Sequence, residues 1–243
     1  MEQQRKDFVI LTTQRTGSTY IAHLLDSHPS IVSYGEIFHP FGIGWGSRTK
    51  HKDSKWLLYT RNVLPVEFLK TQIFHTYPSQ IASVGFKFMY SQAAQFPSVL
   101  KYISQQRQYV IFLNRRNLLA SLVSLKRAHY SRVWTSESAT EKPMIKIYLD
   151  YNECLKYFIE TERLHQHFCT VFKNNPSIQI YYEDICQNKH KIQDEILNFL
   201  TIPKKPLSSP IKKLQEITLQ ESIINYSILK NRFSKTKWAS FFL

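Results

Sequence analysis

Two arginine-bearing corners stand out in the chain. The apolar run Phe8-Val9-Ile10-Leu11 breaks into Thr12-Thr13-Gln14-Arg15-Thr16-Gly17-Ser18-Thr19, and an amphipathic pattern follows. A strand, a short polar turn and a helix start form an anion site, because free N–H groups at the helix N-terminus face the anion and the helix dipole adds positive potential. Gly17 lets the backbone come close. Ser18 and Thr19 carry hydroxyls that can bond an anion or cap the helix. Arg15 can fork onto phosphate or sulfate oxygens. The turn is not a Walker A loop, which needs a second glycine and a lysine at G-x-x-x-x-G-K-[ST]. An ordinary capped turn is the better account of the glycine and hydroxyls alone; with the arginine the two accounts stand level.

The second corner repeats the pattern. Tyr109-Val110-Ile111-Phe112-Leu113 runs into Asn114-Arg115-Arg116-Asn117 and then a helix. Ser124 lies eight residues after Arg116, about two helical turns, so its hydroxyl falls on the face of the helix start. Two such corners in one sheet read as two phosphate sites, and hence as a nucleotide with phosphates at both ends.

The elements that must position these residues follow from periodicity. Phe8–Leu11 and Tyr109–Leu113 are continuous apolar runs, as in strands buried on both faces of a parallel sheet. Residues 84–90 alternate with period two, and Ile178–Tyr182 is a fourth strand. Helical stripes lie between them, at Tyr20, Ile21, Leu24 and Leu25, and at Leu118, Leu119, Leu122, Val123 and Leu125. Residues 145–172 read as one long helix or two, and Ile192–Leu200 as a later one stopped near Pro203. This alternation argues for an α/β fold of three layers around a mostly parallel central sheet. Residues 41–78 read as an excursion from the sheet, and the tail from Pro203 as weakly helical. The whole, residues 1–243, is expected to form a single domain.

Composition narrows the partners. Lys plus Arg is 32 against 18 acids, a net charge of +14, which favours an anionic partner without choosing among nucleic acid, a membrane surface and a charged small molecule. Three cysteines without C-x-x-C spacing argue against a disulfide framework or a zinc ribbon. His165 and His167 are two apart and fall on different helix faces, so no metal site is expected. No signal peptide is read at the start, and no apolar run approaches the ~20 residues that span a bilayer. A cytoplasmic setting is expected.

Five stretches in order carry a resemblance: Arg15–Thr19; Gly35-Glu36 within SHPSIVSYGEIFHP; Gly85-Phe86-Lys87-Phe88-Met89-Tyr90; Arg115–Ser124 with Trp134; and Tyr182-Glu183-Asp184. Together they resemble sulfotransferases that use 3′-phosphoadenosine-5′-phosphosulfate, with the pattern of the bacterial trehalose 2-sulfotransferase type. The resemblance spans roughly residues 8–200. It implies a P-loop-like phosphate-binding turn in which Arg15, Thr16, Gly17, Ser18 and Thr19, with Tyr20 beside them, hold the 5′-phosphosulfate. Arg116 and Ser124 would hold the 3′-phosphate. It implies a hydroxyl or amine acceptor on a carbohydrate or other small molecule, no metal, and a family in which homodimers occur. Residues 41–78 and the tail match no motif, and acceptor specificity would sit there.

In-line sulfuryl transfer needs a base on the acceptor and charge stabilisation at the transferred group. Glu36 is the expected general base, with His39 as its rival and a structural histidine as the plainer role of the latter. Arg15 is expected to steady the leaving phosphate. Lys87 could reach the site or solvent equally. Asn117 reads as an early-helix polar residue, Trp134 as a packing residue, and Glu183 and Asp184 as partners of an arginine or caps of the next helix. A small-molecule kinase, which would require Mg²⁺, and a nucleic-acid-binding protein, which would show steep salt dependence, are the competing readings.

Overall fold

The computed structural model describes residues 5–46, 53–134, 145–211 and 218–242. Five strands form one sheet: β1 (Phe8–Thr12), β2 (Ile31–Tyr34), β3 (Ser83–Met89), β4 (Tyr109–Asn114) and β5 (Ser177–Tyr181). Their order is β2-β3-β1-β4-β5 and every pairing is parallel. Four of them match the expected strands. β2 is the addition: four residues, interrupted by Ser33, are too short to show a period. Tyr90 and Tyr182 fall outside their strands, each opening a helix instead.

The helices are α1 (Ser18–Asp26), α2 (Lys55–Val63), α3 (Pro65–Phe68), α4 (Tyr90–Gln95), α5 (Pro97–Gln105), α6 (Leu118–Ser131), α7 (Tyr151–Val171), α8 (Tyr182–Gln187), α9 (Lys189–Leu200), α10 (Leu219–Ser222) and α11 (Tyr226–Phe233). A π-turn spans Leu69–Ile73 and a 3-10 turn Ala239–Phe242. Strand alternation builds the layers. Val9, Leu11, Phe86, Phe88 and Phe112 bury one face of the sheet against α3, α5 and the end of α7. Phe8, Ile10, Ile111 and Ile180 bury the other against α1 and α9. Of the region read as one helix or two, Tyr151–Val171 form the single helix α7, started by Asp150, whose carboxylate accepts from the amides of Asn152 (2.8 Å) and Glu153 (3.1 Å), while residues 145–150 are not helical and Ile147 bridges Ile223 instead.

The tail does more than its weak pattern suggests. Phe233, Trp238 and Phe242 pack against Leu119 of α6 and Phe158 of α7. Asn225 holds the backbone of Leu149 from both sides, at 3.2 and 2.8 Å. The Asn117 amide donates to the Phe241 carbonyl (3.0 Å), so the tail also steadies the start of α6.

Strand order fixes where a ligand can sit. From β1 the chain moves to β2, returns to β3 between them, then crosses to β4 on the far side of β1. The order switches direction at β1, and open α/β sheets place their ligand crevice outside the carboxyl ends of strands at such a point. The two arginine-bearing corners follow β1 and β4, which are neighbours.

Candidate functional site

The first corner is a tight turn with two left-handed residues, Arg15 (φ 65°) and Gly17 (φ 80°). A non-glycine residue in this region costs about 1 kcal/mol or more and is held there by its surroundings. The restraint is a buried hydroxyl chain. Thr16 Oγ1 lies 2.6 Å from Thr12 Oγ1, which donates to the Leu113 carbonyl of β4 at 2.7 Å. The Thr16 side chain is thereby sealed beneath the turn, and only its backbone can serve a ligand. Gly17 is the N-cap of α1, and no side chain caps that helix. The cap expected from Ser18 or Thr19 is absent, because the chain enters α1 through a left-handed glycine and the Ser18 side chain is buried. Tyr20 packs beside the α1–α9 cluster.

The two corners are stitched together. Arg15 Nε donates to Ser124 Oγ (3.0 Å) and Nη1 to the Trp134 carbonyl (2.6 Å). Ser121 Oγ donates to the Gln14 carbonyl (3.3 Å), and Tyr157 donates to Ser121 Oγ (3.1 Å). The Arg115 guanidinium lies 4.5 Å over the Tyr182 ring and reaches the Arg15 carbonyl at 3.4 Å. Its Nε is buried without a partner. Burial first, and the charge of Arg115 second, hold the Arg15 guanidinium below the ordinary arginine range. Among the described residues no carboxylate pairs with Arg15 or Arg115.

Arg116 is differently placed. Its guanidinium forks onto Asp184 at 2.6 and 2.8 Å and lies 4.0 Å over the Tyr181 ring. That pair raises the arginine's pKa and lowers the carboxyl's. Glu183 accepts from the amides of Arg116 (3.0 Å) and Asn117 (3.1 Å), while Asn117 is the N-cap of α6 through Ala120 N (2.9 Å). Trp134 is 43% exposed, so it is not a core residue; its carbonyl, rather than its ring, touches Arg15.

Glu36 follows β2, which lies two strands from β1 across β3. Strand parity sends Phe86 and Phe88 to one face and Lys87 to the other, where Lys87 Nζ meets Glu36 Oε1 (3.0 Å) and Thr19 Oγ1 (2.9 Å). The other Glu36 oxygen accepts from Gln92 Nε2 (2.8 Å). The carboxylate is therefore fixed in direction, and Lys87, which is 5% exposed, links it to the start of α1. Glycines hold the backbone. Gly44 N donates to the Glu36 carbonyl (3.0 Å), and a Cβ on Gly44 would stand 2.8 Å from Glu36 N and O. A cavity of about 370 Å³ opens here, bordered by Glu36, Lys87, Thr19 and His39. Gln92 and Thr12 carried no sequence signal, since each acts through a contact that only the fold creates.

The sheet is wholly parallel, and the uncapped start of α1 lies beside two guanidiniums that have no carboxylate partner among the described residues. Residues 7–206 match the family model described as "Sulfotransferase family", and the chain belongs to that family. It is 27% identical to Nodulation protein H of Rhizobium tropici over 242 residues, covering 97% of this chain and 92% of the relative. Nodulation protein H of Rhizobium meliloti (strain 1021) is 26% identical over 243 residues, covering 97% and 94%. The fold is shared with a sulfotransferase from Alicyclobacillus acidocaldarius (TM-score 0.53, 13% identity, 95% of this chain and 92% of that one). It is also shared with the sulfotransferase domain from the curacin biosynthetic pathway (TM-score 0.52, 16% identity, 85% and 77%). The protein is an enzyme of sulfuryl transfer. Among the described residues no helix is long and apolar enough to cross a membrane.

Proposed function

We propose that the protein transfers a sulfuryl group from 3′-phosphoadenosine-5′-phosphosulfate to a hydroxyl or amine of a carbohydrate or other small acceptor, with Glu36 as general base. The observation that carries this reading is the pair Arg15 and Arg115. Two like charges lie side by side over an uncapped helix start, with no carboxylate on either among the described residues. Such an arrangement is unfavourable alone and fits a ligand that brings several negative charges. The donor, when bound, supplies an activated sulfuryl group.

Each residue then has a task. The turn from Arg15 to Thr19 binds the 5′ end through backbone amides and the Arg15 fork. Ser124 and the arginines of the second corner bind the 3′-phosphate, with Asp184 competing for Arg116. Glu36 accepts the acceptor's proton. Lys87, between Glu36 and Thr19, stabilises charge where base and donor meet.

Calorimetric titration without metal tests the reading. 3′-Phosphoadenosine-5′-phosphate is expected to bind tightly and ATP weakly; the reverse preference overturns it in favour of a kinase. Glu36→Gln is expected to keep the bisphosphate affinity and lose about 100-fold or more in turnover. His39→Ala is expected to keep most of its activity; if these two outcomes exchange, His39 is the base.

A further inference from the structure

The loop that carries Glu36 also carries a ring that the donor chemistry does not use. Phe41 is 92% exposed. Single exposed aromatics are ordinary on protein surfaces; the support beneath this one is not. Arg61 of α2 is 3% exposed and turns Nη1 onto the carbonyls of Gly42 (2.6 Å), His39 (2.8 Å) and Ile37 (3.4 Å). Burial holds its guanidinium below the ordinary arginine range, and the field of Asp53 opposes that only in part. A buried cation is costly unless its hydrogen bonds are made. Here they are made to the backbone on both sides of Phe41, which fixes the tip of the loop.

That tip borders the cavity beside Glu36. Phe41 and His39, their ring centroids 5.6 Å apart, stand at its edge. Four of the chain's six glycines, Gly35, Gly42, Gly44 and Gly46, wall it with bare backbone. Glu36, Lys87, Asp53 and His23 supply polar groups on other sides. A wholly apolar acceptor would leave these groups against carbon, at a desolvation cost. A small charged acceptor would have no use for Phe41. A polyhydroxylated ring with one C–H face meets both surfaces.

We propose that Phe41 is the stacking surface for a sugar ring of the acceptor, and that Arg61 is the positioning residue that holds it there. The proposal rests on the reading of Glu36 as the group that meets the reacting oxygen. It makes the loop 36–46 the acceptor-recognition element of the enzyme.

Saturation-transfer NMR on protein loaded with 3′-phosphoadenosine-5′-phosphate tests it. The probes are the methyl glycosides of glucose, galactose and mannose and their 2-acetamido counterparts. At least one is expected to receive saturation on the protons of one ring face. Phe41→Ala is expected to weaken that glycoside about fivefold, the scale of one lost ring contact. Phe41→Trp should restore it, and Arg61→Lys should weaken it, with bisphosphate affinity unchanged throughout. Two results overturn the proposal: no glycoside saturated by the wild type, or Phe41→Ala indistinguishable from it. Failure of the wild type to bind the bisphosphate is a separate result and overturns the donor assignment instead.

Discussion

The two arginine-bearing corners look alike in sequence and are satisfied in opposite ways. After β1, the helix α1 starts at a left-handed glycine and no side chain caps it. After β4, the helix α6 is capped twice, by Asn117 from within and by the Glu183 carboxylate on the amides of Arg116 and Asn117. A negative side chain already occupies the position where an anion would meet the helix dipole. The first corner can therefore offer backbone amides to a ligand, and the second only side chains. The arginines divide the same way. Arg116 is neutralised by Asp184, while Arg15 and Arg115 face each other. A basic strand-to-helix corner is an anion site to the extent that the protein has left it unsatisfied.

The largest test of this difference is Arg15→Ala. It removes charge-assisted hydrogen bonds worth about 1.5–3 kcal/mol each to an anionic ligand. Calorimetry is expected to show the bisphosphate bound on the order of 100-fold more weakly. Affinity within twofold of wild type would show that the first corner is not the donor's. Gly17→Ala comes next. Its φ of 80° and a Cβ only 3.0 Å from the Tyr182 ring make the substitution strained. The strain is expected at about 1–2 kcal/mol. Thermal unfolding should shift down by roughly 2–8 °C for a chain of this size. The bisphosphate should bind about tenfold more weakly as the amides move.

The sequence made the corners legible because each is local: an apolar run, a turn and a helix stripe lie within about fifteen residues. The alternation around Lys87 correctly sent Phe86 and Phe88 away from it, yet left its target open, because Glu36 is supplied by a different strand. That strand, β2, was itself invisible at four residues. The eight-residue spacing suggests one helix face for Arg116 and Ser124, but Arg116 stands before the N-cap Asn117, and the spacing cannot show that Asp184, 68 residues on, holds the arginine. Nor can it show that Ser124 meets Arg15. The tail was read as weakly helical because its aromatic residues show no period; they find partners on α6 and α7 only in the assembled fold.

Arg115→Ala removes a like charge from beside Arg15 and a buried Nε that lacks a partner. The melting temperature is expected to hold or rise slightly, while the bisphosphate binds about tenfold more weakly. Arg116→Ala gives up an exposed ion pair and a ring contact, so its effect on stability is small. Its effect on affinity is expected at about threefold, because Asp184 competes for the same guanidinium. Asp184→Asn should then tighten binding by a similar factor. If Arg116→Ala instead costs more affinity than Arg115→Ala, the motif spacing outweighs the resting geometry, and Arg116 leaves Asp184 completely when the donor binds.

The smallest expected effect is the most direct test of the contrast between the helix starts. Glu183→Gln keeps one oxygen for an amide but replaces the other with a donor and removes the charge. A carboxylate at a helix N-terminus is worth about 0.3–1 kcal/mol, so the melting temperature is expected to fall by roughly 1–4 °C. Affinity should move the other way, with the bisphosphate bound about twofold more tightly, because one negative charge has left the basic corner. The gain should shrink at high salt as screening shortens the reach of that charge. A drop in affinity instead would mean that Glu183 serves the ligand by holding the corner's backbone in place, and that the second corner, like the first, binds through the order of its turn as well as through its arginines.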